Sequence, residues 1–164
     1  MHFPAIASAD NFSPESRVWV YITDRPLEDA EVQATQDALN AFVRQWTAHN
    51  QALKATAEVF RNQFVILMVD ESQAGASGCS IDKSIHFLEA LGHQLRVDFF
   101  ERMRFAWVDG NGLQFGDREA MRLRAKGGQP DSNLLMVNTL VQTKKDLQEK
   151  WLTPFEQSWH RRLV

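Results

Sequence analysis

The 164-residue sequence predicts an α+β fold with a ferredoxin-like βαββαβ core, in which an antiparallel sheet carries helices on one face. Three observations predict this class. A β-branched and aromatic run at residues 17–23 precedes an apolar stripe with helical spacing. Two further strand-like runs, at 54–60 and 63–69, are separated by only two residues. A second amphipathic helix at 81–95 is followed by another strand-like run at 102–108.

The first helix and the hairpin after it have clear local signals. Asp24 is placed to cap a helix, and Pro26 is tolerated in a first helical turn. The stripe of this helix consists of Val32, Leu39, Phe42, Val43 and Trp46. Arg61 and Asn62 form the turn between the next two strands, and the second strand is continuously apolar, which is typical of a central strand.

The second half of the chain adds a strand pair and a mixed extension. Residues 109–112 form a turn that connects the strand at 102–108 to a short partner strand at 113–115. The tail then contains a short helix capped by Asp117 that ends before Gly127, a strand at 134–141, and a helix capped by Thr143 that reaches Trp151. We therefore expect a mobile leader at residues 1–16, a ferredoxin-like core at 17–116 and a C-terminal extension at 117–164 packed on that core.

Composition and charge exclude several classes of protein. The chain is 44% hydrophobic and 24% charged, which is ordinary for a globular domain and unlike a disordered one. The net charge of −3 and the lack of a basic stripe argue against a nucleic-acid partner. A single cysteine, Cys79, excludes an intramolecular disulfide, and the longest apolar run, 64–69, is too short to span a membrane. No signal-peptide pattern occurs in residues 1–16, so we expect a cytoplasmic protein without a membrane partner.

The conspicuous segment is residues 70–84, which connects a strand to a helix. Gly75 and Gly78 allow backbone N–H groups to turn inward, and the positive end of the following helix favours an anion. The predicted ligand-binding residues are therefore Asp70, Glu71, Ser72, Gly75, Ser77, Gly78 and Asp82. The spacing does not match a phosphate-binding P-loop, so nucleotide hydrolysis is not predicted. A compact structural connection with Ser80 as the helix N-cap explains the same residues.

Three residues of this segment are candidates for catalysis: Cys79, Ser80 and Lys83. A thiol near a helix N-terminus with a lysine one turn away has the setting of a nucleophile or a redox sensor. Ser80 and Lys83 also have the Ser-x-x-Lys spacing of penicillin-binding enzymes, although the other motifs of those enzymes are absent from this sequence. Burial of Cys79 as a small hydrophobe and capping by Ser80 are the structural alternatives.

A polar stripe on the second helix is a weaker candidate. Asp82, His86, Glu89 and His93 fall within a narrow arc, where imidazoles and carboxylates could hold a divalent metal. Such a stripe is more often a solvated helix face, and no recognised metal-binding spacing occurs. We therefore predict no metal and no cofactor.

The chain resembles a family of small bacterial proteins of uncharacterised function that often carry the label "ABC transporter ATPase". The segments that carry this resemblance are residues 46–49, 67–84, 138–141 and 158–160. The resemblance covers residues 17–163 and implies kinship alone, because the sequence has no Walker A motif and no catalytic residue transfers with it.

The sequence does not decide whether the protein is an enzyme. Three functional hypotheses follow from it. The first is binding or turnover of a small anionic ligand at residues 70–84 and the following helix N-terminus. The second is a non-enzymatic interaction module, in which a sheet edge or the Trp-rich C-terminal segment docks a protein partner or a second copy of the chain. The third is a thiol redox sensor that acts through Cys79.

Overall fold

The computed structural model describes residue 4 and residues 6–126 and 133–164. Nine strands and four α-helices form within these ranges. In chain order they are β1 (Arg17–Ile22), α1 (Asp29–Gln45), β2 (Thr47–Ala48), β3 (Gln51–Ala52), β4 (Lys54–Phe60), β5 (Phe64–Asp70), α2 (Gly78–Leu95), β6 (Phe105–Asp109), β7 (Gly112–Gly116), α3 (Arg118–Lys126), β8 (Leu135–Val137), α4 (Lys144–Lys150) and β9 (Leu152–Pro154). Short 3-10 helices lie at Ala7–Ala9, Phe155–Gln157 and Trp159–Leu163.

The central sheet is antiparallel, with the strand order β1-β5-β4. All seven residues of β5 are buried, as its continuous apolar sequence predicts for a strand covered on both faces. Arg61 and Asn62 adopt positive φ values of 52° and 62° in the turn that joins β4 to β5. The predicted hairpin is therefore confirmed.

Helices α1 and α2 cover one face of this sheet, as predicted. Leu39 of α1 and Leu88 of α2 are fully buried against Val65, Leu67 and Val69, which alternate along β5. Alternation along a strand sends the remaining residues of β5 to the opposite face. There Phe64, Ile66 and Met68 belong to a second apolar cluster, whose members include Phe12, Val137 and Trp151.

The ferredoxin-like arrangement is not confirmed, because β6 does not pair with β1. Instead β6 lies inside a separate four-stranded antiparallel sheet with the order β7-β6-β8-β9. The sequence of β6 explains this: Ala106 packs toward the central sheet, whereas Phe105 and Trp107 pack toward α3 and the C-terminal 3-10 helix. A strand that is apolar on both faces belongs in a sheet interior rather than at an edge. The described part of the chain is thus α+β, with three antiparallel sheets, the third being the two-stranded pair β2–β3.

Two expectations about domain organisation differ from the structure. The sequence predicts a mobile leader at residues 1–16, yet in its described part Ala9 and Phe12 are buried and Ser13 donates its N–H to the Asp70 carboxylate at 2.9 Å. The sequence shows no periodicity there because this segment packs through isolated apolar residues. The expected boundary at residue 116 falls inside the four-stranded sheet, which takes β6 and β7 from one side of it and β8 and β9 from the other.

The start of α1 also differs from the prediction. The helix begins at Asp29 with Glu28 as its N-cap, and Glu31 accepts the Glu28 N–H at 3.0 Å. The carboxylate of Asp24 instead accepts the backbone N–H of Asp98, so it ties the chain after β1 to the chain after α2. Among the helices of the described ranges, none is long and apolar enough to cross a bilayer.

Candidate functional site

The carboxylate of Asp70, a predicted ligand-binding residue, already has several partners within the protein. It accepts N–H groups from Ser13 and Ser72 and the hydroxyl of Ser72, and Lys54 Nζ lies 3.4 Å away. Asp70 is only 4% exposed. These hydrogen bonds, with that of the Ser72 hydroxyl foremost, hold the pKa of Asp70 far below its usual range. The Asp70 carboxylate, ionised near pH 7, therefore links three segments of the chain.

Glu71 lies inside the loop that the sequence predicts as an anion cradle. Its Oε2 accepts the backbone N–H of Ala76 at 2.9 Å, and its Oε1 lies 3.8 Å from Arg17 Nε. A Cβ atom on Gly75 would approach this Oε2 to 3.0 Å, so Gly75 provides the room that the carboxylate uses. The loop therefore binds one of its own carboxylates.

The helix that follows is capped by Ser77 and not by Ser80, contrary to the prediction. Ser77 Oγ accepts the Ser80 N–H at 3.1 Å, and Ser80 Oγ accepts the Ser77 N–H at 2.6 Å. Ser80 Oγ also donates to the Ser77 carbonyl at 2.8 Å, and the residue is 1% exposed. The reciprocal pairing of a capping box uses both serines. The catalytic role of the Ser80 hydroxyl remains a prediction, and the structure buries this residue away from water.

The other predicted site residues lie on the surface. Cys79 is exposed in the first turn of α2, and Lys83 and Asp82 are exposed one turn further on. Ser72 and Gly78 are exposed as well. The polar stripe of α2 does not converge on a metal: within the described residues, no group of three or more histidine, cysteine or carboxylate side chains could hold an ion.

A cavity of about 760 Å³ lies at the outer edge of β1, and we call it the edge groove. Its floor includes Val20, Tyr21 and Ile22 of β1. One wall is formed by residues 99–102 and Arg104 of the connection between α2 and β6 and by Phe105 of β6, and Leu140 and Trp159 form another wall. A cavity of about 280 Å³ continues along Arg17–Tyr21 of the same strand. The volume suits ligand-sized or peptide-sized occupants.

The edge groove occupies the position beside β1 that the fourth strand of the predicted ferredoxin-like core would fill. Val18 donates its N–H to the carbonyl of Gln142 at 3.0 Å, and Arg17 forms a bridge with Thr143. Backbone groups alternate between the two sides of a strand, so the N–H and C=O groups of Val20 and Ile22 also point away from β5. Among the described residues, no segment pairs with β1 beyond Val18 on this side. Within the described residues, the outer edge of β1 from Val20 to Ile22 therefore has no paired strand.

Aromatic contacts and one amide shape the walls of the edge groove. The rings of Tyr21 and Phe100 meet edge to face with centroids 5.4 Å apart. Asn138 Oδ1 accepts both the Trp159 indole N–H at 3.2 Å and the Leu140 backbone N–H at 3.1 Å. A single side chain therefore positions both apolar groups of one wall. Leu140 remains 62% exposed at the rim.

Arginines bring charge to the same cavity. Arg102 and Arg104 both line the edge groove, and within the described ranges no carboxylate lies within ion-pair distance of either one. Arg104 is half-buried, and its Nε is shielded from water without a hydrogen-bond partner. A buried donor without an acceptor is costly and is rare in folded proteins.

A Ser–His pair beneath Trp159 is structural. Ser158 Oγ lies 2.5 Å from His160 Nδ1 and also accepts the His160 N–H, so the serine caps the last 3-10 helix. The His160 ring stacks on Trp159 with centroids 3.7 Å apart and is 1% exposed. Burial lowers the pKa of His160 to about 4, so the imidazole is neutral near pH 7.

Comparison with known proteins adds no relative: no family model, no curated protein and no solved structure matches the chain significantly.

Sequence reasoning missed the edge groove, although it noted some of its parts. Residues 138–141 and 158–160 are among the segments that carry the family resemblance, and the structure brings them together through Asn138 and Trp159. Arg102 and Arg104 gave no signal, because they lie in a segment that was expected to pair with β1. The open edge follows only from where β6 goes.

Proposed function

We propose that the protein is a non-enzymatic interaction module that binds an extended peptide segment of a partner protein along the open edge of β1. The observation that carries this proposal is the outward-facing backbone of Val20 and Ile22 at the floor of the edge groove. Strand addition uses such unpaired N–H and C=O groups for affinity and neighbouring pockets for specificity.

The shape of the groove favours a single extended chain over a second copy of this protein. The β1 edge is recessed between the wall formed by residues 99–102, Arg104 and Phe105 and the wall formed by Leu140 and Trp159. Two such recesses cannot fill one another, and pairing them would bring two sets of Arg102 and Arg104 together. A narrow strand enters the recess without either conflict.

The geometry gives less support to an anionic ligand at residues 70–84. The carboxylates of Asp70 and Glu71 already engage backbone N–H groups at both ends of that loop. A negatively charged ligand would have to displace them or approach them as a like charge. A thiol role for Cys79 has the exposure of this residue in its favour.

The proposal is tested with short peptides selected from a random library that have free C-termini and bind the full-length protein. A selected peptide should shift the amide NMR signals of Val20 and Ile22 more than those of Trp19 and Tyr21, whose N–H groups face β5. N-methylation of the peptide should abolish binding at every second position, because only alternate N–H groups face β1.

Variants of the protein provide the matching controls. Val20→Pro removes one outward N–H, leaves the β1–β5 ladder intact, and should weaken binding by about tenfold. Leu140→Glu changes an exposed rim residue, so it should weaken binding while the melting temperature stays close to that of the wild type. Unchanged affinity in both folded variants would refute the proposal, as would a selected peptide without the alternating pattern. A dimer that pairs through β1 would also refute the proposal, because a second copy of the protein would then occupy the edge groove in place of the peptide.

A further inference from the structure

We infer that the partner segment in the edge groove is an uncharged stretch of three consecutive apolar residues, covered by the protein on both faces. This inference rests on the proposed function and commits to one occupant, an extended segment of a partner protein. A strand that is covered on one face alternates apolar and polar residues, whereas a strand that is covered on both faces is continuously apolar. The edge groove offers the added strand an apolar wall on each face.

The first wall covers the face of the added strand that lies toward the helices. Tyr21 points to this face of the central sheet, where it packs in the same cluster as Leu88 of α2. Ile85 of α2 and Phe100 line the edge groove there, and the Phe100 ring meets the Tyr21 ring edge to face. Residues directly opposite each other on paired strands send their side chains to the same face. A partner residue level with Tyr21 therefore lies against Ile85 and Phe100.

The second wall covers the opposite face. Val20 and Ile22 pack in the cluster on that face, and Val141 belongs to the same cluster. Leu140 precedes Val141, lines the edge groove and is exposed to water. Partner residues level with Val20 and Ile22 send their side chains to this face and cover Leu140. Three consecutive partner residues thus each reach an apolar wall.

Strand β5 provides an internal comparison for an added strand. It pairs with the inner edge of β1 between the same two clusters, and its residues 64–69 are all apolar and buried. Val20 and Tyr21 of β1 are only half-buried, and no strand of the described part of the chain pairs with the outer edge beside them. A second continuously apolar strand on that edge would remove their remaining apolar surface from water.

The charged residues of the edge groove favour neither sign of charge. Glu89 and Glu101 line the groove together with Arg102 and Arg104, so their formal charges sum to zero. A charged partner side chain would lose its water and meet groups of both signs, which does not repay the cost of burying a charge. The partner segment is therefore uncharged as well as apolar at these three positions.

The test begins with a substitution scan of one selected peptide, whose N-methylation pattern locates the three residues beside residues 20–22. Serine in place of each of the three in turn should weaken binding by about tenfold or more, because each position loses its apolar contacts. Lysine and aspartate should each weaken binding at least as much as serine at every position. Tighter binding with lysine or aspartate than with serine would refute the uncharged class.

Protein variants assign each peptide position to one wall. Ile85→Ser and Phe100→Ser alter the wall toward the helices, and Leu140→Ser alters the opposite wall. Serine in the peptide should cost less in a variant than in the wild type only where both changes lie on the same face, so the two walls should respond to alternating positions. Ile85→Ser keeps the test valid if loss of the Phe100 contact with Tyr21 unfolds the other variant. Met103→Ser is the matched control: Met103 is 50% exposed and does not line the groove, so no position should respond.

Failure of this inference differs from failure of the proposed function. Serine effects at alternate positions only, with N-methylation effects that still alternate, would refute a segment covered on both faces and leave strand addition standing. Equal responses of both walls at all three positions would refute it as well. Loss of the alternating N-methylation pattern, or a dimer that pairs through β1, would refute strand addition itself and this inference with it.

Discussion

The buried His160 predicts a specific loss of stability in mild acid. The imidazole is neutral in the folded protein because burial lowers its pKa to about 4, whereas a histidine in the unfolded chain titrates near 6.5. A lowered histidine pKa means that the unfolded state binds the proton first. Stability is therefore complete above the unfolded pKa and is lost as the pH falls from about 6.5 toward 4.

The size of the loss follows from the two pKa values. Linkage gives a decrease in the free energy of unfolding of about 2 kcal/mol at pH 5 and about 3 kcal/mol at pH 4, relative to pH 7. This is a large share of the total stability of a small domain, which is about 5–15 kcal/mol. The decrease should stop below the folded pKa.

Urea unfolding followed by far-UV circular dichroism measures this effect at several pH values between 7 and 4. The variant His160→Asn keeps a hydrogen-bonding group near Ser158 but has no ionisable ring. It should be less stable at pH 7, because the stacking on Trp159 is lost, and less sensitive to acid. Contributions common to both proteins cancel in the difference. Equal slopes in the two proteins would refute the assignment to His160.

Three further outcomes are expected. Gly92→Ala should lower the free energy of unfolding in urea by about 1–3 kcal/mol, because its Cβ would come within 2.5 Å of the Val97 carbonyl oxygen. Gly78→Ala is the control: its Cβ meets open space, so the change should be neutral or slightly stabilising. Similar effects of the two substitutions would contradict this packing. Asn138→Ala should cost about 1–2 kcal/mol and alter Trp159 fluorescence, while Asn138→Asp keeps an acceptor for both N–H groups and should lose less. Cys79 should react with a thiol reagent in native buffer, one group per chain, and a thiol that reacts only after unfolding would show that it is covered.

Local signals predicted most of the secondary structure but not the way the sheets assemble. Asp117 and Thr143 accept backbone N–H groups at the starts of α3 and α4, at 2.8 and 3.1 Å, as their positions in the sequence predict. The start of α1 was predicted wrongly because Asp24 bonds to the distant Asp98 instead. Periodicity identifies a strand but does not name its neighbour, so the departure of β6 from β1 required the structure.

The candidate site shows the same division. Residues 70–84 were conspicuous because glycine and serine are needed to wrap the chain around Glu71 and to cap α2, which local sequence does reveal. The edge groove unites β1, the segment 99–105 and the C-terminal residues, which are far apart in sequence. The edge groove exists because, within the described residues, no strand pairs with the outer edge of β1 beyond Val18, and the sequence of β1 does not indicate whether such a strand is present.

The packing of residues 6–16 has a consequence for how the protein is made. Lys144 Nζ donates to the carbonyl oxygens of Ala9 and Phe12 at 2.8 and 2.9 Å, and Ser13 bonds to Asp70. Residues 6–16 therefore cannot complete these contacts until a lysine 135 residues after Ala9 has been synthesised. Chains are made at about 5–20 residues per second, so Phe12 stays uncovered for several seconds on every nascent chain. That interval is when a chaperone has the best access to the apolar residues of this segment.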